Sequence, residues 1–385
     1  MDHVRGVIET IAPIDSQERF EGFGVKVLRE HASFTGPRQV KAGPYIVNAK
    51  HFVIATGSAP FVPPISGLAQ APYFTNETIF ENRTRPDHLI VIGGGPIGVE
   101  MAQAHRRLGS KVSIIEGKTI LGKDDPELVA VVRDQLIAEG VSLHENAMVD
   151  AVIQNADGVS VAFDGKNVSG SHLLVAVGRA PTVDGLNLEA AGVDYDKRGI
   201  KVDKKLRTSN KRIYAIGDIT GGRQFTHVAG YHASIIVRNI LFKMPAANND
   251  DQAPWVTYCD PELAHVGLTE AQAQEEHGKI TVSRWSFDEN DRAQAERDTT
   301  GFAKVVTGKG GKILGASIVG RGAGNLIGNW AFAISNKQTI KAFTNYIAPY
   351  PTRGEISKRA AGAYYTPTLF SKKTRMLISL LSVFD

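Results

Sequence analysis

The residues with the clearest chemistry are a run of glycines, Gly93-Gly94-Gly95-Pro96-Ile97-Gly98, and one acid downstream, Glu116. In a G-x-G-x-x-G turn, Gly93 permits the tight exit from a strand and Gly95 lets backbone approach a pyrophosphate. Gly98 lets helix and strand pack closely. Pro96 and Ile97 complete the turn, where amide N–H groups at a helix start meet phosphate charge. Glu116 lies 18 residues beyond Gly98, where a carboxylate can accept both hydroxyls of an adenosine ribose. The same carboxylate repels a 2′-phosphate, and Gly117-Lys118-Thr119 offers no arginine to neutralise one. The expectation is a dinucleotide site for NADH in preference to NADPH. The competing reading is a glycine-rich turn without a ligand, and the surrounding elements weigh against it.

Those elements form a complete β–α–β unit. An apolar strand over residues 89–92 leads into the glycines. The helix after them carries a stripe of Ile97, Met101, Ala104 and Leu108, closed by Gly109, and a second strand over residues 111–115 ends at Glu116. A helix over residues 126–139 and strands near Val141 and over residues 149–161 extend this α/β region. A strand over residues 173–177 then ends in Gly178-Arg179-Ala180-Pro181. The first sixty residues read as β-rich, with alternating runs at 25–27 and 45–47 and a strand at 51–55 before Thr56-Gly57-Ser58. Strand 212–216 precedes Gly217-Asp218, and apolar positions at helical spacing follow over residues 228–241. The last part holds strands around Val256 and over residues 281–287, 302–307 and 313–319, with a turn at 308–311 and a long helix over 323–335. That order reads as α+β. Gly320-Arg321-Gly322-Ala323-Gly324 imitates a nucleotide turn but lacks its spacing, and reads as a packing turn.

Composition excludes several classes. Charged residues make up 22% and hydrophobic ones 42% of 385 residues, as in a soluble enzyme of two or three domains. The net charge of +4 comes without a basic block, which argues against nucleic acid as a partner. The one cysteine, Cys259, permits neither a disulfide framework nor a cysteine metal site within a chain, and fits a reducing, cytoplasmic setting. No metal site is expected. Residues 1–13 do not form a signal peptide, and no apolar run is long enough to span a bilayer. Residues 372–384 place basic residues before Met376, Leu377, Ile378, Leu380 and Leu381. They read as a terminal helix packed on its own domain or a partner subunit, with a peripheral membrane-surface helix as the alternative.

Five motifs in order resemble the pyridine nucleotide–disulfide oxidoreductases, the family typified by dihydrolipoamide dehydrogenase and mercuric reductase. They are Ala55-Thr56-Gly57-Ser58; the 93–98 fingerprint with Glu100; Val177-Gly178-Arg179; Ala215-Ile216-Gly217-Asp218; and Asp260-Pro261-Glu262 with 266–270. The resemblance implies α/β architecture with two Rossmann-like dinucleotide-binding domains, an incomplete one for FAD and an intact one for NAD(P), plus a C-terminal α+β dimerisation domain. It implies boundaries of 1–85 and 181–247 for the FAD part, 86–180 for the NAD part and 254–385 for dimerisation. FAD contacts are implied at Ala32, Thr56, Gly57, Ser58, Gly178 and Asp218, and at the helix start Gln224, Phe225, Thr226, His227 and Ala229. Glu100 is implied near the nicotinamide–flavin junction. For Ala32 the ordinary turn residue stands as an alternative, and for Asp218 a helix N-cap. His227 and His232 read as structural, and His105 with Arg106 and Arg107 as the solvated side of the nucleotide helix.

Two departures limit the analogy. The family's first GxGxxG unit and its CxxxxC helix are absent from this sequence, which reads as beginning partway into the FAD domain, through truncation, a fragment or a start upstream of Met1. Cys259 reads as a structural thiol. Where disulfide-reducing members carry HPTxxE, this chain has Tyr350-Pro351-Thr352-Arg353-Gly354-Glu355. Tyr350 and Glu355 are the catalytic candidates, with a packed interface aromatic as the other reading of Tyr350. The expected activity is hydride transfer from NADH to flavin and on to a small-molecule or metal-ion acceptor, by a homodimer. The alternatives are a flavin-only NADH oxidase or transhydrogenase, and an inactive NADH-binding fragment.

Overall fold

A computed structural model describes residues 1–383; Phe384 and Asp385, the end of the basic-apolar terminal stretch, lie outside the described residues. The chain divides into two compact units, Met1–Arg85 with Leu173–Asp250, and Pro86–His172 with the chain from Asp251 onward.

In the first unit, strands Phe52–Ile54 and Ile213–Ala215 pair in parallel, Val53 opposite Tyr214. Both are short apolar runs, and Ile54, Ile213 and Ala215 sink into a core with Phe34, Leu188, Val193 and Ile219. Parallel pairing brings their C-terminal ends together, so the 55–58 and 216–218 turns emerge side by side. An antiparallel meander, Ala32–Gly36, Gln39–Ala42 and Tyr45–Asn48, lies upstream. Helix Thr226–Ile240 packs Ile235 and Ile236 against Leu206 and Tyr214.

The N-terminal stretch corrects the sequence expectation. Residues 25–27 form no strand, and helices Asp2–Ile11 and Gln17–Gly22 precede the first strand. The alternating reading missed Val4, Val7, Ile8 and Ile11, which recur at the helical period. Ser16 caps the second helix by accepting the Arg19 N–H at 3.2 Å.

In the second unit, His88–Ile92, Lys111–Ile115 and Ser142–His144 run parallel, with helices Pro96–Arg107 and Pro126–Ala138 in the connections. An antiparallel sheet of Val149–Asn155, Gly158–Phe163 and Lys166–Gly170 follows. The C-terminal part is a five-stranded antiparallel sheet in the order Trp255–Thr257, Glu262–Gly267, Ile313–Gly320, Phe302–Thr307, Thr281–Ser286. Its middle strand, Ile313–Gly320, is buried along its whole length. Helices Ala323–Ser335 and Glu355–Ala363 pack on this sheet around Trp330, which stacks on Phe343 at 3.7 Å. The α+β expectation holds; strand Glu262–Gly267 and helix Glu270–His277 are additions to it.

The nucleotide helix is rotated from its expected face. Gly98, Val99, Ala102, Gln103 and His105 are buried, while Ala104 and Leu108 of the expected stripe are exposed. Close packing against the sheet selects the small residues Gly98 and Ala102, so the strongest apolar stripe is not the buried one.

Candidate functional site

The glycine turn has the backbone its spacing demands. Gly93 has φ +105° and donates its N–H to Ile115 O at 2.9 Å, tying the turn to the neighbouring strand. A Cβ on Gly98 would lie 2.0 Å from Gly93 O, so only glycine lets the helix come this close. Gly95, the helix N-cap, has open space where its Cβ would be, and no side chain caps the helix. Pro96, exposed, and Ile97, half-buried, form its first turn. Gly94 carries a signal the sequence reading passed over: its Cβ would sit 2.7 Å from Ile120 Cγ2.

Glu116 is oriented by two backbone donors. Its Oε2 accepts the Gly94 N–H at 2.7 Å and its Oε1 the Lys118 N–H at 2.9 Å. Each oxygen keeps accepting capacity for a further donor. The loop behind it is fastened by Glu145, which accepts from Thr119 Oγ1 at 2.7 Å and the Ile120 N–H at 2.8 Å, and pairs with Arg133 at 2.8 Å. The Arg133 hydrogen bond is the largest influence holding the Glu145 carboxyl at about 2.

Glu100 is half-buried on the same helix, and its Oε1 accepts the Tyr258 N–H at 2.8 Å. Burial raises its pKa, and the Tyr258 bond opposes that rise. One turn on, Gln103 exchanges two hydrogen bonds with the Asp260 backbone, each 2.7 Å. Arg107 reaches Asp260 Oδ2 at 2.7 Å and Glu139 at 2.6 Å, and Arg106 donates to Glu139 O at 2.6 Å. His105 is buried, with Nδ1 2.8 Å from Met101 O. The expected solvated His105-Arg106-Arg107 face is therefore an anchoring face. Cys259 lies buried in the anchored segment and donates to Pro261 O at 3.1 Å. Burial first, and then the Glu100 charge, push its thiol up to about 12.

In the other unit, the paired strand ends bring Ser58 Oγ to Asp218 Oδ2 at 2.5 Å. Arg179, next to the exposed Gly178, donates to Ser58 Oγ at 2.7 Å and to Asn76 Oδ1 at 3.2 Å. Thr56 donates to Thr182 O at 2.9 Å, and Gly57 has φ +67° with open space at its Cβ position. His232, fully buried, accepts the Gly217 N–H on Nδ1 at 3.1 Å, and its Nε2 lies 3.4 Å from Asp250 Oδ2. This supports the structural reading of His232. Ala229 packs against Gly217, whose Cβ would lie 3.1 Å from the Ala229 Cβ. Gln224 and Phe225 are half-buried and Thr226 and His227 exposed at a helix start with no side-chain cap; the Phe225 and His227 rings stack at 5.2 Å. Ala32 is exposed at the start of its strand, opposite Ala42.

Tyr350 is exposed and donates to Asp291 Oδ2 at 2.8 Å; that bond raises the phenol's pKa above its ordinary value. Glu355 opens helix Glu355–Ala363 and pairs with Arg359 at 2.8 Å. Among the described residues no hydrogen bond joins Tyr350 to Glu355. The 320–324 turn is answered from within: Gly324 donates its N–H to Glu262 Oε2 at 2.8 Å, so a protein carboxylate occupies the helix start.

The sequence reading missed a buried ion cluster. Lys304, 3% exposed, sits 2.7 Å from Asp125 and 2.6 Å from Glu270, and also pairs with Glu127, which is shared with Arg284 at 2.8 Å. The three carboxylates lie close enough to hold a metal ion, but the Lys304 ammonium already serves them as the cation. No periodicity or motif announces a pairing between residues so far apart in the chain.

Comparison with known proteins places these motifs. The family profile described as pyridine nucleotide-disulphide oxidoreductase matches residues 14–233, and its dimerisation domain matches residues 253–361. Mercuric reductase of Streptomyces lividans is 35% identical over 353 residues, 89% of this chain and 74% of the relative. Mercuric reductase of Bacillus cereus is 35% identical over 88% of this chain, which spans only 55% of that relative. Dihydrolipoyl dehydrogenase of Bacillus subtilis is 36% identical over 89% of this chain and 75% of its own length. Among solved structures, the HOCl-induced flavoprotein disulfide reductase RclA from Escherichia coli superposes with a TM-score of 0.80 at 28% identity, covering 86% of this chain and 78% of that one. LpdA from Mycobacterium tuberculosis superposes at 0.86 and 25% identity, covering 94% and 82%.

Proposed function

We infer function from one premise: the chain belongs to the pyridine nucleotide-disulphide oxidoreductase family. We propose an oxidoreductase that takes NADH at the 93–98 cradle, holds FAD against Thr56, Gly57, Ser58, Gly178 and Asp218, and passes electrons to an acceptor yet to be identified. The proposed modules are 86–180 for NADH, 1–85 with 181–247 for FAD, and 254–385 for dimerisation.

The observation that carries the reading is the paired orientation of Glu116 and the open space at Gly95. An uncapped helix start beside that space offers unpaired amides to a pyrophosphate. The residues thus fit a dinucleotide. Those at the 55–58 and 216–218 turns fit the polyol side of a flavin, since Thr56, Ser58 and Asp218 supply hydroxyl and carboxylate groups at one place. Bound FAD supplies a two-electron carrier between NADH and acceptor. The chain's residues position and bias. Glu116 selects the ribose hydroxyls, Arg179 and Ser58 hold Asp218, and His232 fixes the Gly217 amide. Gln224, Phe225, Thr226, His227 and Ala229 present a helix N-terminus that favours negative charge. Ala32 is proposed on the adenine side of FAD and Glu100 facing the nicotinamide. Tyr350 and Glu355 are proposed to act on the acceptor, Tyr350 as a neutral hydrogen-bond donor because its pKa is raised.

A second reading rests on Cys259. Cys259, buried and with its pKa pushed up to about 12, is not poised for thiol exchange, and the second reading is a flavin-only acceptor reaction or NADH binding alone. The absorbance spectrum of the purified protein separates these. A flavin band near about 450 nm that bleaches on anaerobic NADH addition is the expected result. Colourless protein that still binds NADH overturns the oxidoreductase reading in favour of binding alone. NADPH binding as tight as NADH overturns the role given to Glu116.

A further inference from the structure

The end of the chain differs chemically from the rest. Between Glu355 and the terminal Asp385, residues 356–384 contain Lys358, Arg359, Lys372, Lys373 and Arg375 and no acid, whereas the whole chain carries a net charge of only +4. This stretch begins inside the dimerisation-domain match and continues past its end at residue 361. It closes with helix Lys372–Leu381, capped by Ser371, which accepts the Thr374 N–H at 3.2 Å. None of the helix residues is buried. Met376, Leu377, Ile378, Leu380 and Leu381 are each more than half exposed; Met376, Leu377, Leu380 and Leu381 share one face at three- and four-residue spacing, while Ile378 lies with Arg375, Ser379 and Ser382 on the other. Leu369 and Phe370, just before the helix, are also more than half exposed.

We propose that this helix docks the protein onto an anionic phospholipid surface. Lys372, Lys373 and Arg375 stand in the first turn, where the helix dipole is already positive, a placement that helix stability alone disfavours. No described acid pairs with any of the three. Cations beside an apolar face suit an interface that offers phosphate charge above acyl chains. The same composition argues against a second copy as the occupant, since packing this segment on itself would bring like charges together. One short helix binds a membrane weakly. Two copies on a homodimer, each with Phe370 and Leu369 alongside, gain from multivalency. Among the described residues no helix is long and apolar enough to cross a membrane, so the attachment is peripheral. It does not depend on the identity of the electron acceptor.

Vesicle flotation of the full chain tests the proposal, with phosphatidylcholine alone and phosphatidylcholine mixed with phosphatidylglycerol. The protein is expected to float with the anionic vesicles at low salt, to stay behind with the neutral ones, and to be released at high salt. Reversing the charges by Lys372→Glu, Lys373→Glu and Arg375→Glu should lower partitioning by at least about 100-fold, since loss of each cation alone costs about fivefold. Leu377→Glu with Leu381→Glu should abolish it. Both sets should leave NADH binding and the unfolding midpoint unchanged, because no residue of the helix is buried. The proposal is overturned if the unmodified protein ignores anionic vesicles or if either set binds them as well as the parent. It is equally overturned if the leucine substitutions convert a dimer to a monomer, which would assign the face to a second copy.

Discussion

Gly95 and Gly98 stand three residues apart and meet opposite demands. A methyl group at Gly98 would overlap the Gly93 carbonyl at 2.0 Å, while one at Gly95 would project into open space. Gly98→Ala should therefore lower the unfolding free energy by about 1–3 kcal/mol, as overpacking generally does, and with it the urea midpoint. Gly95→Ala should leave the midpoint untouched and still lose NADH affinity. Equal thermal stability of the two variants would sink this division of roles. Glu116→Ala removes the acceptor of two backbone N–H groups as well as the proposed ribose partner. NADH binding should weaken by about 1.5–3 kcal/mol, the range for a hydrogen bond to a charged group, as read by calorimetric titration. Cys259 makes a simpler test. A buried thiol with its pKa pushed up to about 12 should resist a thiol reagent in the native protein and react fully in denaturant. Rapid native labelling would contradict its placement.

Elements explain which parts of the site the sequence disclosed. The glycine cradle was legible because its chemistry is local: turn, helix and acid lie within one β–α–β unit, where Gly98 answers a close backbone contact and Gly95 leaves open space. The two motif turns around Ser58 and Asp218 were legible through family resemblance, yet their hydrogen bond depends on parallel pairing of strands 160 residues apart. The buried face of the nucleotide helix was misread because close approach favours glycine and alanine over the larger residues a hydrophobic stripe counts. Lys304 was invisible for a related reason: a lysine inside a strand shows no sign in sequence of the three carboxylates that will surround it. Burial works against its charge, but hydrogen bonds to Asp125, Glu127 and Glu270 outweigh that and raise its pKa. Asp125 also caps helix Pro126–Ala138, so the cluster ties that helix to the C-terminal sheet. Lys304→Met should destabilise by about 3–5 kcal/mol, the cost of leaving buried charges unpaired. Adding Asp125→Asn should recover part of it. The pH dependence follows the shifts. The raised Lys304 stabilises below its unfolded value of 10.5 and ceases to as pH climbs past the folded value. The lowered Glu127 stabilises above its ordinary 4.5 and ceases to as pH falls below it. The difference in urea midpoint between parent and Lys304→Met should hence be flat across neutral pH and shrink in acid below pH 4.5. A difference that grows on acidification would contradict the network.

At the scale of the molecule, the helices and loops of the C-terminal domain leave apolar surface that one chain does not cover. Ile347 is 90% exposed and Phe332 70% exposed, and both fall within the residues matched by the family's dimerisation domain. Exposed apolar residues of that size on a well-packed domain mark an interface, and obligate homodimer interfaces resemble a divided core. The chain should therefore run in light-scattering chromatography at about twice its 41.5 kDa. Ile347→Glu with Phe332→Glu buries two charges at such a contact without touching the core of a single chain, and should return the mass to that of one chain. NADH affinity should survive the conversion. Every group that forms the cradle, from Gly93 to Glu116 and the Glu145 clamp behind it, belongs to one β–α–β unit and its following strand and loop. Turnover should not survive if Tyr350 and Glu355 act, as proposed here, on the flavin site of the partner subunit. A monomeric variant that binds NADH but does not turn over would separate nucleotide capture, a property of one chain, from acceptor chemistry, a property of two. A monomeric variant with full turnover would place Tyr350 and Glu355 outside the reaction.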